Sequence, residues 1–268
     1  MRCAVIGDPV SHSMSPVLHQ AAYDALGLPW TYDAVRVPLG DLAAFMDGLA
    51  GSPGEEWRGL SVTAPLKPEA AAYASSVSPV VALSGVANTL VRSTAGEWSA
   101  ENTDVPGAVA AVRERYAGPV TAATILGAGS TAVSTGLAVA DLGASTIRLL
   151  ARDPGRAALA AATIRRHPSA PTVEVASLHS GPAAGEVLVS TVPAAAQTPD
   201  LVERCAGVPL VLDVTYHPWP TPLAASVSPD QFLVSGLDLL VHQATLQLEL
   251  FTGTPAATLV TPLRAVLT

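Results

Sequence analysis

Lys67 is the residue that most clearly invites a chemical interpretation, because it is the single lysine in a chain of 268 residues that has thirteen arginines. Arginine serves surface charge equally well, so a surviving lysine is a candidate for work that a guanidinium cannot do. An ammonium group can lose its proton when it is removed from water, whereas a guanidinium stays charged. We therefore interpret Lys67 as a candidate proton donor, with chance survival on a solvated face as the alternative.

Other polar residues could join Lys67 around a small ligand. Lys67 comes four residues after Thr63, at the end of a predicted strand, and Asn88 follows a second strand-like run. Ligands of α/β sheets bind beyond the carboxyl ends of strands. These side chains would form a neutral, hydroxyl-rich pocket with one ammonium and the carboxylate of Asp104, which suits a small polyhydroxylated ligand.

Each of these polar residues also has a structural interpretation. Ser13 and Ser15 lie at the start of the first predicted helix, and Ser15 followed by Pro16 is typical of a helix N-cap with proline at the first helical position. Asn88 and Asn102 could be turn residues, and Asp104 could cap a helix.

A glycine turn, Gly127-Ala128-Gly129, lies between a predicted strand and a predicted helix, and Ala132 follows it. This spacing matches the dinucleotide fingerprint Gly-x-Gly-x-x-Gly/Ala in its required strand–turn–helix context. The helix N-terminus would offer N–H donors and a partial positive charge to a pyrophosphate. An ordinary tight turn is the alternative.

The end of the next predicted strand bears on the choice between NAD and NADP. An NAD enzyme usually carries a carboxylate there for the ribose 2′-hydroxyl. This chain has Arg152 and Arg156, which favour NADP through charge-assisted hydrogen bonds to a 2′-phosphate. Asp153 would repel that phosphate unless its side chain turns away. A solvated helix start is the alternative for both arginines.

Alternating strand and helix patterns predict the scaffold that must position these residues. The alternation implies βαβ units, a mostly parallel sheet and an α/β fold. A second βαβ series restarts near residue 105, so we expect a domain boundary at 104–106. Strands are predicted at 2–7, 31–37, 59–63, 85–91, 120–126, 146–151, 173–176, 186–192, 209–214 and 231–235, and helices at 16–26, 41–49, from 68 onward, 132–142 and 237–251.

Composition argues against several functional classes. The net charge of −8, with no basic stretch, argues against nucleic acid. The N-terminus does not resemble a signal peptide, and no run of eighteen apolar residues exists, so no membrane partner is expected. The two cysteines, Cys3 and Cys205, cannot form a disulfide scaffold, which fits a cytoplasmic protein.

Four motifs closely resemble those of the shikimate dehydrogenase family in order and spacing. They are Gly7-x-Pro9-x-x-His12-Ser13-x-Ser15-Pro16-x-x-His19, Ser61-Val62-Thr63-x-Pro65-x-Lys67, Ala87-Asn88-Thr89-Leu90 and Asn102-Thr103-Asp104. The resemblance spans essentially the whole chain, because it continues through Gly127-Ala128-Gly129, the Arg152 region, Asp213-Val214-Thr215-Tyr216 and Gly236-Leu237 to Gln243.

The resemblance implies reversible, NADPH-dependent reduction of 3-dehydroshikimate to shikimate, in the pathway to chorismate and the aromatic amino acids. It implies two α/β domains with a cleft between them. Residues 1–104 would form the substrate-binding domain, with C-terminal helices (237–268) returning to it, and residues 105–236 a Rossmann-like NADP-binding domain. We expect shikimate or 3-dehydroshikimate as the small-molecule partner, NADP rather than NAD, no metal, and a monomer or homodimer.

The resemblance also implies the residue roles, beginning with Lys67 and Asp104 as the catalytic pair. The substrate-binding residues that it implies are Ser13, Ser15, Thr63, Lys67, Asn88, Asp104, Tyr216 and Gln243. The cofactor-binding residues are Gly127, Gly129, Ser130, Thr131, Arg152, Arg156, Thr191 and Gly236.

Three departures from the family pattern keep alternatives open. Val105 and Asp238 stand where glycine is usual, and Ala151-Arg152-Asp153 replaces Asn-Arg-Thr near the adenosine. Asp238 could cap its helix locally or tune the nicotinamide site. The alternative functions are a quinate/shikimate dehydrogenase that uses NAD, and a cofactor-binding paralogue without chemistry, against which the presence of Lys67 and Asp104 argues.

Overall fold

The structure of the protein is a computed structural model that describes residues 1–50 and 56–267. The chain forms two compact units, which we call unit 1 (Met1–Thr103 with Leu240–Thr268) and unit 2 (Asp104–Leu239). None of the described helices combines the length and the hydropathy that a membrane-spanning segment needs.

Both units consist of short strands joined by helices and loops, as the alternating sequence pattern predicts. The strands, in chain order, are β1 (Arg2–Gly7), β2 (Thr31–Arg36), β3 (Trp57–Val62), β4 (Ser76–Val77), β5 (Thr89–Arg92), β6 (Trp98–Glu101), β7 (Ala122–Leu126), β8 (Thr146–Ala151), β9 (Thr172–Ser177), β10 (Val187–Ser190), β11 (Leu210–Asp213) and β12 (Phe232–Val234). The α-helices are α1 (Ser15–Ala25), α2 (Leu42–Ala50), α3 (Lys67–Tyr73), α4 (Pro79–Ser84), α5 (Asp104–Arg115), α6 (Ser130–Asp141), α7 (Ala158–Arg165), α8 (Pro199–Arg204), α9 (Pro222–Ser226), α10 (Gly236–Thr252) and α11 (Val260–Ala265).

Unit 1 contains a mixed sheet in the order β2-β1-β3-β5-β6-β4. The strands β1, β2 and β3 are parallel, but β5 runs antiparallel to β3, and β6 runs antiparallel to β5. The prediction of a mostly parallel sheet is confirmed, and the exception is β5, which is antiparallel to both of its neighbours. A glycine explains one misplaced boundary: Gly85 is not a strand residue but ends α4 in the left-handed conformation, with φ of 69°.

Side chains of β1 alternate between two hydrophobic clusters, which cover both faces of this sheet. Ile6 and Leu60 point into a cluster with residues of α2, α3 and α4. Cys3 and Val5 point into the other cluster, with residues of α1, α10 and α11, including Phe251. The apolar residues of α10 thus belong to the core of unit 1.

Unit 2 contains a parallel sheet in the order β12-β11-β10-β7-β8-β9. All pairs in it are parallel, and β10 and β11 are buried along their whole length, as expected for strands covered on both faces. The strand order changes direction between β7 and β10. Ligands of open α/β sheets bind at such a switch point, beyond the carboxyl ends of the strands.

The start of α1 corrects a prediction about Ser15. The N-cap position is taken by Met14, which has a helical backbone conformation and offers no side-chain cap. Ser15 is instead the first residue of the helix, because the N–H of Leu18 already donates to the carbonyl of Met14 at 3.2 Å. The Ser15 hydroxyl is therefore not used in capping this helix.

We predict that Gly59→Ala destabilises unit 1, because a Cβ there would lie closer than 3.0 Å to three atoms of the Phe251 ring. Overpacking of this kind costs about 1–3 kcal/mol. The matched control is Gly48→Ala in α2, where an added Cβ has nothing within 4 Å and should stabilise the helix by about 0.4–1 kcal/mol. Urea midpoints of the three proteins test the prediction, and a Gly59→Ala midpoint equal to that of the unmodified chain would contradict it.

Candidate active site

One edge of the unit 1 sheet collects the predicted polar residues of that unit. Ser13 and Ser15 come after β1, Thr63 comes directly after β3, and Lys67 begins α3 four residues later. Asn88 comes directly before β5, not after a strand as the sequence suggested. Because β5 is antiparallel to β3, its amino end lies beside the carboxyl end of β3. Asn88 therefore reaches the predicted edge from the opposite strand direction.

Asn88 is buried, with 2% of its surface exposed, and hydrogen bonds fix its position. Its backbone carbonyl accepts from the N–H of Val62 at 2.7 Å. Its side-chain oxygen accepts from the N–H of Thr103 at 2.8 Å and from the hydroxyl of Thr89 at 2.9 Å. Its side-chain nitrogen donates to the hydroxyl of Thr103 at 2.8 Å and to Oε1 of Gln243 at 3.2 Å. The structure thus brings together Asn88 and Gln243, two residues that the sequence assigned to one ligand.

Lys67 is buried, with 8% of its surface exposed, at the first position of α3. Its backbone carbonyl accepts from the N–H of Ala87 at 2.9 Å, which ties it to the segment that carries Asn88. Thr63 is half-buried, and its N–H donates to the carbonyl of Ile6 at the end of β1. The chain's one primary-amine side chain is therefore not on a solvated face.

His19 supports the start of α1, where Ser15 lies. It is fully buried, and its Nδ1 donates to the carbonyl of Ser15 at 2.9 Å. Burial lowers the pKa of His19 to about 4, so its ring is neutral at neutral pH and stacks on the Tyr32 ring at 4.1 Å. Ser15 is 5% exposed, whereas Ser13 is half-buried and its hydroxyl accepts from the N–H of Ser15 at 3.3 Å.

Asn102, the second of the chain's two asparagines, has a structural role. Its side-chain nitrogen donates to the carbonyl of Val86 at 3.1 Å and lies 3.5 Å from the hydroxyl of Ser84. Ser84 is the last residue of α4, and Val86 lies in the turn that follows this helix. The interpretation of Asn102 as a residue that stabilises a turn therefore fits the structure.

Asp104 begins α5 and is the first residue of unit 2, with 7% of its surface exposed. It follows Thr103 directly, and Thr103 is bound to Asn88 as described above. Val105, where the family has glycine, is buried in the same helix. Val105 thus contributes to the packing of α5.

The glycine turn of unit 2 leads from β7 directly into α6. Gly127 follows β7 with φ of 110°, and a Cβ there would overlap the hydroxyl of Thr191. Gly129 is the N-cap of α6, and a Cβ there would have nothing within 4 Å. Ser130 and Thr131, both half-buried, form the first turn of α6, where backbone N–H groups lack helical acceptors. The turn therefore leaves open space in front of a twelve-residue helix.

Thr191 joins this turn from the neighbouring strand. It follows β10, and both its N–H and its hydroxyl donate to the carbonyl of Leu126, at 2.9 and 2.8 Å. Gly236, at the start of α10, packs in the same close manner, because a Cβ there would overlap the carbonyl oxygen of Val214. Gly127, Thr191 and Gly236 thus lie beyond the carboxyl ends of three strands of one sheet.

Arg152, Asp153 and Arg156 are exposed in the loop after β8, the strand next to β7. The Asp153 carboxylate turns back on its own loop, where it accepts from the N–H of Gly155 at 3.0 Å and of Arg156 at 3.4 Å. In the described part of the chain neither arginine side chain has an acceptor. The two guanidinium groups are thus available to an anionic ligand.

Tyr216 is half-buried and follows β11, in a turn that Asp213 stabilises. The fully buried Asp213 carboxylate accepts from the side-chain nitrogen of Gln197 at 2.9 Å, the hydroxyl of Thr221 at 2.6 Å and the N–H of Thr215 at 3.1 Å. These bonds fix the backbone just before Tyr216.

Asp238 caps its helix locally, which answers the question that its position raised. Its carboxylate accepts from the N–H and hydroxyl of Ser235, at 2.9 and 2.8 Å, and from Arg115 at 3.0 Å. Burial raises the pKa of Asp238, but the bonds from Ser235 and Arg115 outweigh it and hold the pKa below its usual value. This arrangement is a capping box at the start of α10.

Sequence reasoning missed the residues that support Asn88 from behind. Gln247 lies one helical turn after Gln243 on α10, and its side chain reaches Ser61, Asn88 and Thr89. The spacing of four residues places both glutamines on one face of the helix. That spacing was visible, but nothing in the sequence showed what the face contacts.

Comparisons with known proteins identify the family. A family model described as "Shikimate dehydrogenase substrate binding domain" matches residues 5–90. The chain is 34% identical to shikimate dehydrogenase (NADP(+)) of Moorella thermoacetica, over 94% of this chain and 88% of that protein.

Solved structures agree with this match. Shikimate dehydrogenase of Mycobacterium tuberculosis superposes with a TM-score of 0.84 at 38% identity, covering 99% of both chains. Shikimate 5-dehydrogenase of Thermus thermophilus, solved in complex with NADP(H) and shikimate, gives 0.82 at 26% identity, also covering 99% of both. The expected α/β fold is confirmed, and the chain belongs to the shikimate dehydrogenase family.

Proposed function

We propose that this protein is a shikimate dehydrogenase, an NADP-dependent oxidoreductase that interconverts 3-dehydroshikimate and shikimate. The observation that carries the proposal is the placement of Lys67: the chain's one lysine is buried beside the Asn88 segment. Relatives named shikimate dehydrogenase (NADP(+)), such as that of Moorella thermoacetica, support the same activity. Such an enzyme acts in the synthesis of chorismate and the aromatic amino acids.

The substrate roles that we propose follow the family resemblance. Ser13 and Ser15 bind the substrate carboxylate through their hydroxyls. Thr63, Asn88 and Gln243 bind ring hydroxyls. A buried amide that already makes directed hydrogen bonds, as Asn88 does, presents its remaining polar surface in one fixed orientation, which favours discrimination between ring hydroxyls.

The unit 2 residues fit a bound NADP. The open space at Gly129 and the amino end of α6 suit a pyrophosphate, with Ser130 and Thr131 in the first turn. The exposed side chains of Arg152 and Arg156 suit a 2′-phosphate, and the Asp153 carboxylate is turned to its own loop. When bound, the nicotinamide would supply or accept the hydride. We therefore propose unit 1 as the substrate-binding domain and unit 2 as the dinucleotide-binding domain.

The proton is the part of the reaction that we assign to Lys67. A ring ketone that accepts a hydride develops negative charge on its oxygen, and Lys67 donates a hydrogen bond or proton to that atom. Asp104 orients a substrate hydroxyl. General acid–base assistance of this kind contributes a factor of about 10²–10⁴ in rate.

The compartment is the cytoplasm in this proposal. Cys3 and Cys205 are both buried and unpaired, and burial raises the pKa of each thiol to about 11. Such thiols are poorly reactive, which suits a structural role in a reducing compartment.

The direct test of function is reduction of NADP⁺ by the purified chain with shikimate, followed by the near-ultraviolet absorbance of reduced nicotinamide. The same assay with quinate and with NAD⁺ separates the two dehydrogenase alternatives. Shikimate binding without any oxidation, measured by calorimetry, would support the paralogue that lacks chemistry and would overturn the proposal.

We predict that Lys67→Arg keeps the fold and NADP⁺ binding but loses at least about 100-fold in turnover, because a guanidinium is a poor proton donor. Lys67→Met, which removes the charge at similar length, should lose at least as much. Steady-state kinetics and calorimetric titration with NADP⁺ measure the two effects. Near-normal turnover of Lys67→Arg would rule out a proton-transfer role for Lys67.

We predict that Arg152→Ala raises the KM for NADP⁺ about tenfold or more, because it removes a charge-assisted hydrogen bond to the 2′-phosphate. The KM for NAD⁺, which lacks this phosphate, should change by less than about twofold. Arg166→Ala, at another exposed arginine of unit 2, is the matched control. Equal effects on both nucleotides would contradict the assignment of Arg152.

We predict that Asp153→Asn lowers the KM for NADP⁺, whereas Arg152→Ala raises it. Asparagine keeps an oxygen that can accept from the N–H of Gly155 but removes a negative charge beside the proposed phosphate site. The KM for NADP⁺ should fall by about two- to threefold, a small effect because the site is exposed and screened by salt. A higher KM for NADP⁺ would show that the charge helps the site.

A further inference from the structure

Gln247 of α10 forms hydrogen bonds to two neighbouring strands of the unit 1 sheet. Ser61 of β3 and Thr89 of β5 are directly opposite each other in the antiparallel register. The side chain of Gln247 spans this pair from α10. Its Oε1 accepts from the hydroxyl of Ser61 at 2.7 Å, and its Nε2 donates to the hydroxyl of Thr89 at 2.9 Å and to the carbonyl of Asn88 at 3.1 Å. Gln247 is 1% exposed, so these partners replace water completely.

The backbone carbonyl of Asn88 and the backbone N–H of Thr103 fix the direction of the hydrogen bonds in this series of side chains. The Gln247 atom that faces the carbonyl of Asn88 must be the nitrogen, because a carbonyl only accepts. The Asn88 atom that faces the N–H of Thr103 must be the oxygen, because an N–H only donates. The hydroxyl of Thr89, which has one proton, therefore accepts from Gln247 and donates to Asn88.

Tyr32 is the first donor in this series of hydrogen bonds. Its hydroxyl donates to the hydroxyl of Ser61 at 2.5 Å, so the proton of Ser61 is directed to Gln247. Burial raises the pKa of Tyr32, and the hydroxyl therefore stays a donor. The result is one directed path, Tyr32 to Ser61 to Gln247 to Thr89 to Asn88, within unit 1.

We propose that Gln247 is a positioning residue that holds the side-chain amide of Asn88, through Thr89, in the orientation that binds a substrate hydroxyl. The inference rests on the proposed function, because it takes Asn88 as a substrate-binding residue. Gln247 itself is separated from any ligand by Thr89 and Asn88. Its effect is on the orientation of a group that binds, so it acts on affinity for the cyclic substrate and not on the cofactor.

The loss of Gln247 would weaken the hold on the Asn88 amide. Without its Nε2, the hydroxyl of Thr89 has no donor and is free to rotate away from the Asn88 oxygen. The Asn88 oxygen would then lose one of its donors while it keeps the bond from the N–H of Thr103, and the side chain would adopt its binding orientation for less of the time. A fractionally populated binding state lowers the apparent affinity in proportion.

The test uses two variants of the full chain, each of which breaks the hydrogen-bond path from Gln247 through Thr89 to Asn88. Gln247→Leu removes the amide, and Thr89→Val removes only the hydroxyl at nearly constant shape. Each should raise the KM for shikimate about tenfold, with kcat within about threefold and the KM for NADP⁺ unchanged. The double variant should be no worse than the worse single variant, because both break one path.

Matched controls separate this role from a general loss of packing. Gln20→Leu removes a glutamine of unit 1 that contacts Asp24 and Trp30, and Thr245→Val removes a buried hydroxyl on α10 that donates only to His242. Both should leave the KM for shikimate unchanged. If Gln247→Leu fails to fold, the KM for shikimate of Thr89→Val alone tests the proposal.

Each outcome has one interpretation. If the unmodified chain does not oxidise shikimate, the proposed function fails and the inference fails with it. If the unmodified chain is active and both variants bind shikimate normally, only the inference is overturned. Additive losses in the double variant, or equal losses for shikimate and NADP⁺, would also overturn it, since they would indicate separate structural effects.

Discussion

The antiparallel pairing of β3 with β5 is the constraint on which the site of unit 1 depends. It sets Ser61 opposite Thr89 and brings the amino end of β5 to the carboxyl end of β3. The carbonyl of Asn88 then accepts from Val62, and the Asn88 side chain meets Thr103 at the end of β6. A parallel β5 would place Asn88 at the other edge of the sheet, away from Thr63. One reversal of strand direction therefore decides whether the polar residues of this unit can meet.

Much of the fold followed from local pattern, and the errors have a common physical cause. The predicted strand at 146–151 matches β8, and the predicted strands at 2–7 and 120–126 match β1 and β7 within two residues, because period and glycine turns are short-range signals. Strand direction is not such a signal, since it is fixed by pairing between distant segments. Gly85 looked like the start of a strand, but its left-handed conformation ends α4. Asn88 does lie at the predicted edge of the sheet, but it does so because it precedes an antiparallel strand and not because it follows a parallel one.

The supporting residues of the site could not be predicted for the same reason. Gln247 lies 158 positions from Thr89 and 186 from Ser61, and only the packing of α10 on the sheet brings them together. Asp153 is the contrasting case. The run Asp153-Pro154-Gly155 is typical of a turn in which the aspartate accepts from the backbone two residues on, as the structure shows. That signal was available in the sequence and would have explained how a carboxylate can lie beside a proposed phosphate site.

Lys67 shows how composition and structure bear on one residue. A positive side chain at the first position of a helix is opposed by the helix dipole, and burial adds a desolvation penalty. Stability alone would favour an acidic residue in the first turn, as with Asp200 in α8. Residues that break local rules without a structural gain concentrate at functional sites. The one lysine of the chain therefore lies at a buried helix start where desolvation and the helix dipole both oppose a positive charge, which is a placement expected of a group retained for its chemistry.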